Sequence, residues 1–359
     1  MKVQEYLKKY GNKSFKEIKL NEIDVAIFSI ISYVIFDDLK EEVLSTALEK
    51  ILNKPKTYFD KLYRGIGLKD FLIDCKNAQR YENISISDYI DLYSKEEEKQ
   101  FSALVFHLNK NKHVVAFRGT DKKIIAWKED LHLSFNSLIP SQKEASKYLK
   151  KMLIKHPGRL ILTGHSKGGN LAIYAASTLD KVNLFRIQEI HNFDGPGFNF
   201  KACKKEDFLR LEKKIINYYP KHSIFGMILD AVGQAKFIQT DAFGLLQHDI
   251  LNWKIRKDAF LKTKQSTFSI FIHSLIDELI KNADEESKKS FADDLFNLLG
   301  AQEDIDFSKI NSMTSILKYL SKINDNYKNL DKKTQDDLKN RLSKLYLISK
   351  DVYKKMKNN

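Results

Sequence analysis

The stretch Leu160-Ile161-Leu162-Thr163-Gly164-His165-Ser166-Lys167-Gly168-Gly169-Asn170 constrains the fold of this chain more than any other. An apolar run ends there in three glycines wrapped around one serine. A strand that stops abruptly and turns straight into a helix needs residues without side-chain bulk at the corner, and Gly164, Gly168 and Gly169 supply them. Ser166 then sits where the backbone bends most sharply, with its hydroxyl projecting from the edge of a sheet. The spacing Gly164-x-Ser166-x-Gly168 is that of a nucleophile elbow, provided that a strand precedes it and a helix follows. Residues 159–163 are β-like, and residues 170–176 continue as an apolar helix able to pack on that sheet.

The flanking sequence fits such a sheet. Residues 101–108 and 113–117 form two β-like runs separated by Asn109-Lys110-Asn111-Lys112, a hairpin signal. A helical pattern over 141–156 stops before Pro157-Gly158, immediately ahead of the serine strand. After the elbow helix, residues 186–193 are strand-like and end in Asp194-Gly195-Pro196-Gly197. A helix near 204–213 and strands at 214–219 and 235–240 follow. Strands alternating with helices in this order imply a mostly parallel sheet covered by helices. The first 60 or so residues read as helices, with amphipathic stretches at 22–37 and 40–52. From about residue 256 the chain is rich in Lys, Asp, Asn and Leu and helical in period, ending in a basic tail around Lys354-Lys355-Met356-Lys357.

Length and charge narrow the function classes. With 359 residues, 43% of them hydrophobic, the chain can bury a large core. The most apolar early run, residues 25–36, is too short to span a bilayer and suits a buried helix. The N-terminus lacks the apolar region and cleavage site of a secretory signal. The two cysteines, Cys75 and Cys203, have no metal-ligand spacing, so reduced thiols and a cytoplasmic address are expected. The net charge of +14 would attract polyanions, but the basic residues are interleaved with 47 acidic ones and no nucleic-acid motif appears. At most, weak contact with an anionic membrane surface follows.

A serine hydroxyl is a poor nucleophile near neutral pH and needs a base, which in turn needs an orienting acid. His248, in a loop after the last expected strand, is the candidate base, with His222 its nearest competitor. His165 lies inside the elbow and would point away from Ser166, and His191 lies within a strand. Asp194 follows a strand at the same sheet edge as Ser166 and is the candidate acid, with Asp230 and Asp241 as alternatives. Two donors are needed for a developing oxyanion: the amide of Lys167, directly after the nucleophile, and that of Thr120 in Arg118-Gly119-Thr120-Asp121, at the end of the strand 114–117.

These residues carry a resemblance. Val115-Ala116-Phe117-Arg118-Gly119-Thr120, followed by Trp127-Lys128-Glu129-Asp130-Leu131, resembles the oxyanion strand and the tryptophan-plus-aspartate stretch of class 3 lipases. Residues 164–172 are similar to their nucleophile elbow, and His248 with Trp253 to their terminal histidine segment. The likeness spans roughly residues 104–254 and is nearest to a bacterial branch of that superfamily, in which Asn192-Phe193-Asp194-Gly195-Pro196-Gly197-Phe198 and Tyr219-Pro220-x-x-Ser223-Ile224-x-Gly226-Met227 also occur. It implies an α/β-hydrolase fold, a mostly parallel sheet flanked by helices, with the hydrolase domain over 1–255, its first 80 residues a helical lead-in, and a helical appendage over 256–359. It also implies a serine esterase acting on acyl esters, with lipid or phospholipid esters favoured. A catalytically silent scaffold binding a lipid or a partner protein is the alternative.

Two positions depart from the lipase pattern. The family's acid position is matched here by Ser223, which favours Asp194, one strand earlier, as the acid over Asp230 and Asp241. Lys167 replaces an apolar residue after the nucleophile, and its side chain would favour a substrate with an anionic group nearby. The segment 223–233 is more apolar than a surface connection should be. Phe225, Met227 and Ile228 are its candidate acyl contacts, and Gly226 and Gly233 its candidate hinges. No cofactor and no metal is expected.

Overall fold

In the computed structural model, residues 1–37, 39–62, 67–97, 99–120, 138–200, 203–242, 244–266, 269–270, 273, 332 and 336 are described. Five helices come first: α1 (Val3–Tyr10), α2 (Glu22–Ile31), α3 (Leu44–Leu52), α4 (Lys56–Phe59) and α5 (Gly67–Asn77), with the short strand β1 (Glu42–Val43) before α3. Next come β2 (Ser85–Ser94), β3 (Lys99–Asn109) and β4 (Lys112–Phe117). The helices α6 (Pro140–Lys155), α7 (Lys167–Ser177), α8 (Lys181–Arg186) and α9 (Lys205–Leu209) then alternate with β5 (Arg159–His165), β6 (Ile187–Phe193), β7 (Ile215–Pro220) and β8 (Gln234–Ile238).

One nine-stranded sheet organises the described residues, in the order β1-β2-β3-β4-β5-β6-β7-β8-β11, where β11 is Lys262–Thr263. β1 to β4 are antiparallel neighbours, β4 to β8 run parallel, and β11 closes the far edge antiparallel to β8. A two-stranded ribbon, β9 (Ile255–Arg256) with β10 (Ala259–Phe260), lies beside it. Residues 255–263 are thus strands, where a helical pattern was expected from 256 onward. The rest of that expected helical appendage lies outside the described residues, apart from a few isolated positions.

Because consecutive parallel strands step always in one direction, right-handed crossovers put all their helices on one face. Side chains alternate accordingly. Val115, Phe117, Leu160 and Leu162 pack with α6 and α7 on that face. Leu104, Phe106, Val114, Ala116 and Ile161 point to the other, where α1, α2, α3 and α5 cover them. The helical lead-in is therefore half of the core. The apolar run 25–36 is the helix α2 and its continuation, with every residue from Val25 to Ile31 buried. No helix among the described residues is long and apolar enough to cross a membrane.

Candidate active site

Ser166 sits between β5 and α7 with φ 57° and ψ −134°, a left-handed geometry that an L-residue adopts only under constraint. The constraint is the close approach of backbone on all sides. A Cβ on Gly164 would lie 2.1 Å from the carbonyl carbon of Gly168, and one on Gly168 would lie 2.1 Å from the carbonyl oxygen of Phe117. The expected strand, turn and helix are all present, and the Ser166 amide donates to the Phe193 carbonyl at 2.9 Å, tying the elbow to the end of β6.

The end of β6 carries Asp194, also left-handed at φ 52° and only 1% exposed. Its Oδ2 lies 2.7 Å from Nδ1 of His248. Its Oδ1 accepts from the Ser223 hydroxyl at 2.5 Å and from the Gly226 amide at 3.2 Å. The structure thus brings Asp194 and His248 together. The other two candidate acids are elsewhere: Asp241 is exposed and pairs with Lys254, and Asp230 is exposed beside Phe198. His191 bonds to Tyr218 and Glu189 within the sheet. His222 is held at its backbone by Gln247.

Burial pushes the Asp194 carboxyl up, to about 7, against the pull of Ser223, the neighbouring His165 and the Gly226 amide. Burial likewise pushes the His248 imidazole down, to about 3. A neutral imidazole with Nδ1–H donated to Asp194 carries its lone pair on Nε2, the tautomer a general base requires.

Several supports were not legible as site residues. Ser223 stands where the lipase pattern has its acid, and its hydroxyl donates to the candidate acid Asp194. The Gly226 expected as a hinge is a packed donor, since a Cβ there would meet the Tyr219 ring at 2.2 Å. His165 packs its ring against that of His248, with centroids 4.3 Å apart; its Nε2–H donates to the His248 carbonyl at 2.7 Å, so its Nδ1 accepts from the Tyr33 hydroxyl at 2.9 Å. Trp253, fully buried, donates from Nε1 to the Gln247 carbonyl at 2.7 Å and so pins the histidine loop from behind. Asn170 donates to the Pro196 and Gly197 carbonyls, fixing the turn that follows Asp194.

Of the candidate oxyanion donors, Lys167 opens α7, so its amide is one of the helix's first N–H groups and has no intrahelical acceptor. Gly119 brings the end of β4 against the elbow, since a Cβ there would lie 3.2 Å from the Cβ of Ser166, and Thr120 follows it, buried. The Lys167 side chain corrects an expectation. It turns inward, 1% exposed, and donates to the Gln100 carbonyl at 3.1 Å, so its ammonium does not face a substrate's anionic group. The tryptophan-plus-aspartate stretch 127–131 lies outside the described residues.

Of the candidate acyl contacts, Phe225 packs on His248 with ring centroids 4.3 Å apart and the rings tilted by 39°, in a single 3₁₀ turn, Phe225–Met227. Met227 is buried, and Ile228 packs against Ile139 and Leu229 in a small apolar cluster separate from both main cores.

Comparison with solved structures finds distant likenesses. Lipase II from Rhizopus niveus shares 15% identity over 60% of this chain and 78% of that one, with a TM-score of 0.37. M37 lipase shares 16% over 57% and 69%, at 0.34. A fungal lipase shares 12% over 66% and 83%, at 0.37. No curated protein sequence matches the chain. The parallel sheet with its flanking helices and the strand–elbow–helix at its centre are those of an α/β-hydrolase fold. The Mbeg1-like family model matches residues 75–297, well over half of the sequence, and the chain belongs to the Mbeg1-like family.

Proposed function

We propose that the protein is a serine hydrolase that cleaves an acyl ester through an acyl-enzyme, with Ser166 as nucleophile, His248 as general base and Asp194 as its orienting acid. The observation that carries the reading is the 2.7 Å contact between Asp194 Oδ2 and His248 Nδ1 beside the strained turn of Ser166. In this reading His248 Nε2 takes the proton of the serine hydroxyl as the oxygen attacks the ester carbonyl, and Asp194 stabilises the imidazolium that results. The amides of Lys167 and Thr120 receive the oxyanion. The proton returns through His248 to the leaving alkoxide, and water attacks the acyl-enzyme by the same route in reverse. Lipid or phospholipid esters are the proposed substrate class, because the apolar segment of Phe225, Met227 and Ile228 adjoins the histidine. No cofactor is required by this chemistry. The proposed setting is the cytoplasm, in keeping with a chain that carries only two cysteines, Cys75 and Cys203, far apart in sequence.

A fluorophosphonate probe followed by peptide mapping tests it. Labelling at Ser166, with turnover falling about 10⁴ to 10⁶-fold in a folded Ser166→Ala variant, is the expected result. A folded wild-type protein that neither labels nor cleaves any p-nitrophenyl ester would instead mark a silent scaffold that binds a lipid or a partner.

A further inference from the structure

At the end of the sheet away from Ser166, four titratable side chains meet. β4 begins at Lys112 and ends beside the elbow, so its first residues lie at the opposite end of the strands. There His113 meets His107 of β3 and His156, which follows α6 directly, and Asp88 of β2 bonds to His156. Ring centroids are 4.9 Å apart for His107 and His113, 4.8 Å for His107 and His156, and 5.3 Å for His113 and His156. One ligand atom from each of Asp88, His107 and His156 lies within 4.8 Å of the others, and among the described residues this is the one such group of three.

The hydrogen bonds fix the tautomers in sequence. The Pro157 carbonyl, 3.0 Å from His113 Nε2, can only accept, so that nitrogen carries the proton and Nδ1 of a neutral His113 is an acceptor. His107 Nδ1, 2.8 Å from it, is therefore the donor, and the lone pair of His107 is on Nε2. That nitrogen lies 2.7 Å from Oγ of Ser87. The same hydroxyl lies 2.6 Å from Oδ2 of Asp88, which lies 2.8 Å from Nε2 of His156. Three short contacts thus share two protons, one on Ser87 and one on His156, when the imidazoles are neutral. A lone pair is left facing a lone pair, and a cation between them would resolve it.

We propose that Asp88, His107 and His156 form a binding site for a divalent metal ion of the zinc type, through Oδ2 of Asp88 and Nε2 of each histidine. The His156 proton moves to Nδ1 on binding, and water completes the shell. Two imidazole nitrogens and a carboxylate oxygen are a borderline-soft donor set that suits zinc over calcium or magnesium. His113 is the outer partner that ligating histidines characteristically have, holding His107 Nδ1–H and hence the ring's orientation. Lys155 occupies the other carboxylate oxygen at 2.5 Å, which keeps Oδ2 toward the histidines. A bulge between Ser87 and Ile90 and a left-handed Asp88, φ 56°, turn that side chain into the cluster. Asp88 and His156 keep 10% and 12% of their side-chain surface exposed, so an ion can enter. Such an ion would brace β2 and β3 against the turn joining α6 to β5, remote from the hydrolytic chemistry.

The test uses the full chain, stripped with a chelator and checked for folding by circular dichroism. Zinc is titrated in competition with a chromophoric chelator, and cobalt is added separately to read the visible bands of a tetrahedral ion. One equivalent of zinc is expected, with a rise in melting temperature. Asp88→Asn, which tolerates the left-handed backbone, and His156→Gln should each weaken binding at least about a hundredfold, whereas His222→Gln should leave it unchanged. Folded wild-type protein that takes up no zinc and gives no cobalt bands, or equal binding by the Asp88→Asn/His156→Gln double variant, would overturn the site.

Discussion

Asp194 occupies an unfavourable position twice over, with a left-handed backbone and a carboxyl buried where its charge is poorly solvated. An asparagine fits the same backbone and can still accept from Ser223 and Gly226, but it presents an amide N–H to His248 Nδ1 and forces the ring into the other tautomer. Asp194→Asn should therefore lower turnover by about 10⁴-fold. Stability should move the other way. A carboxyl whose folded-state value is raised to about 7 contributes stability below its ordinary range near 3.8 and loses it as pH climbs to 7. The asparagine variant should thus be the more stable by a few kcal/mol above about pH 7, with the difference vanishing near pH 4, as urea titrations would read. Under the proposed esterase mechanism the wild-type protein should show the matching kinetic limb: the Asp194–His248 pair takes up a proton as pH falls through about 7, and kcat/KM falls with it. A flat profile between pH 5 and 8 would refute this account of the pair, as would a fully active Asp194→Asn.

The elements that short-range pattern dictates are the ones sequence reading recovers. The elbow, the hairpin of β3 and β4, α6, and the parallel strands β5 to β8 each announce themselves by periodicity and turn residues. β2 did not, because its Ser- and Asp-rich alternation is broken by the bulge at Ser87 to Ile90 and its partner is supplied only by the sheet. The pairing of Asp194 with His248 spans 54 residues, and Ser223, Gly226, His165 and Tyr33 join it only in three dimensions, so one sequence offers candidates but no geometry. The turn Phe225–Met227 shows the same limit: its apolar character is plain, while its place against His248 is not. If it lines the acyl site, each methylene bound there adds about 0.8 kcal/mol, and kcat/KM should climb with ester chain length until the site is full. Phe225→Asp or Ile228→Asp should flatten that climb and spare short esters. A uniform loss at all lengths with a lower melting temperature would make the segment core instead.

At the scale of the whole molecule, the N-terminal helices behave as a structural half of the sheet domain rather than as an attachment. They cover one face of the sheet, and Met1 exchanges backbone hydrogen bonds with Ile255 across 254 residues. Glu22 of α2 accepts from the Phe260 amide and pairs with Lys236, and Tyr33 reaches the elbow through His165. The layer is held by Arg80, whose guanidinium grips both oxygens of Asp24 at 2.7 and 2.6 Å and donates to the carbonyls of Ile18 and Lys19, with both charged side chains at 0% exposure. Arg80→Met would leave the Asp24 carboxylate buried without its cation, a change that costs about 3 to 5 kcal/mol. Because α2 packs on the same strands that end at Ser166, that loss should appear in one cooperative transition. Helical signal, tryptophan fluorescence and hydrolytic activity should vanish together along a urea series, at a lower midpoint than in the wild type. Adding Asp24→Asn to Arg80→Met should restore part of the midpoint, since the stranded charge is then gone. Activity that outlasts the loss of the N-terminal helices would show that the lead-in folds as a separate module, and the two-faced core described here would not be the unit that folds.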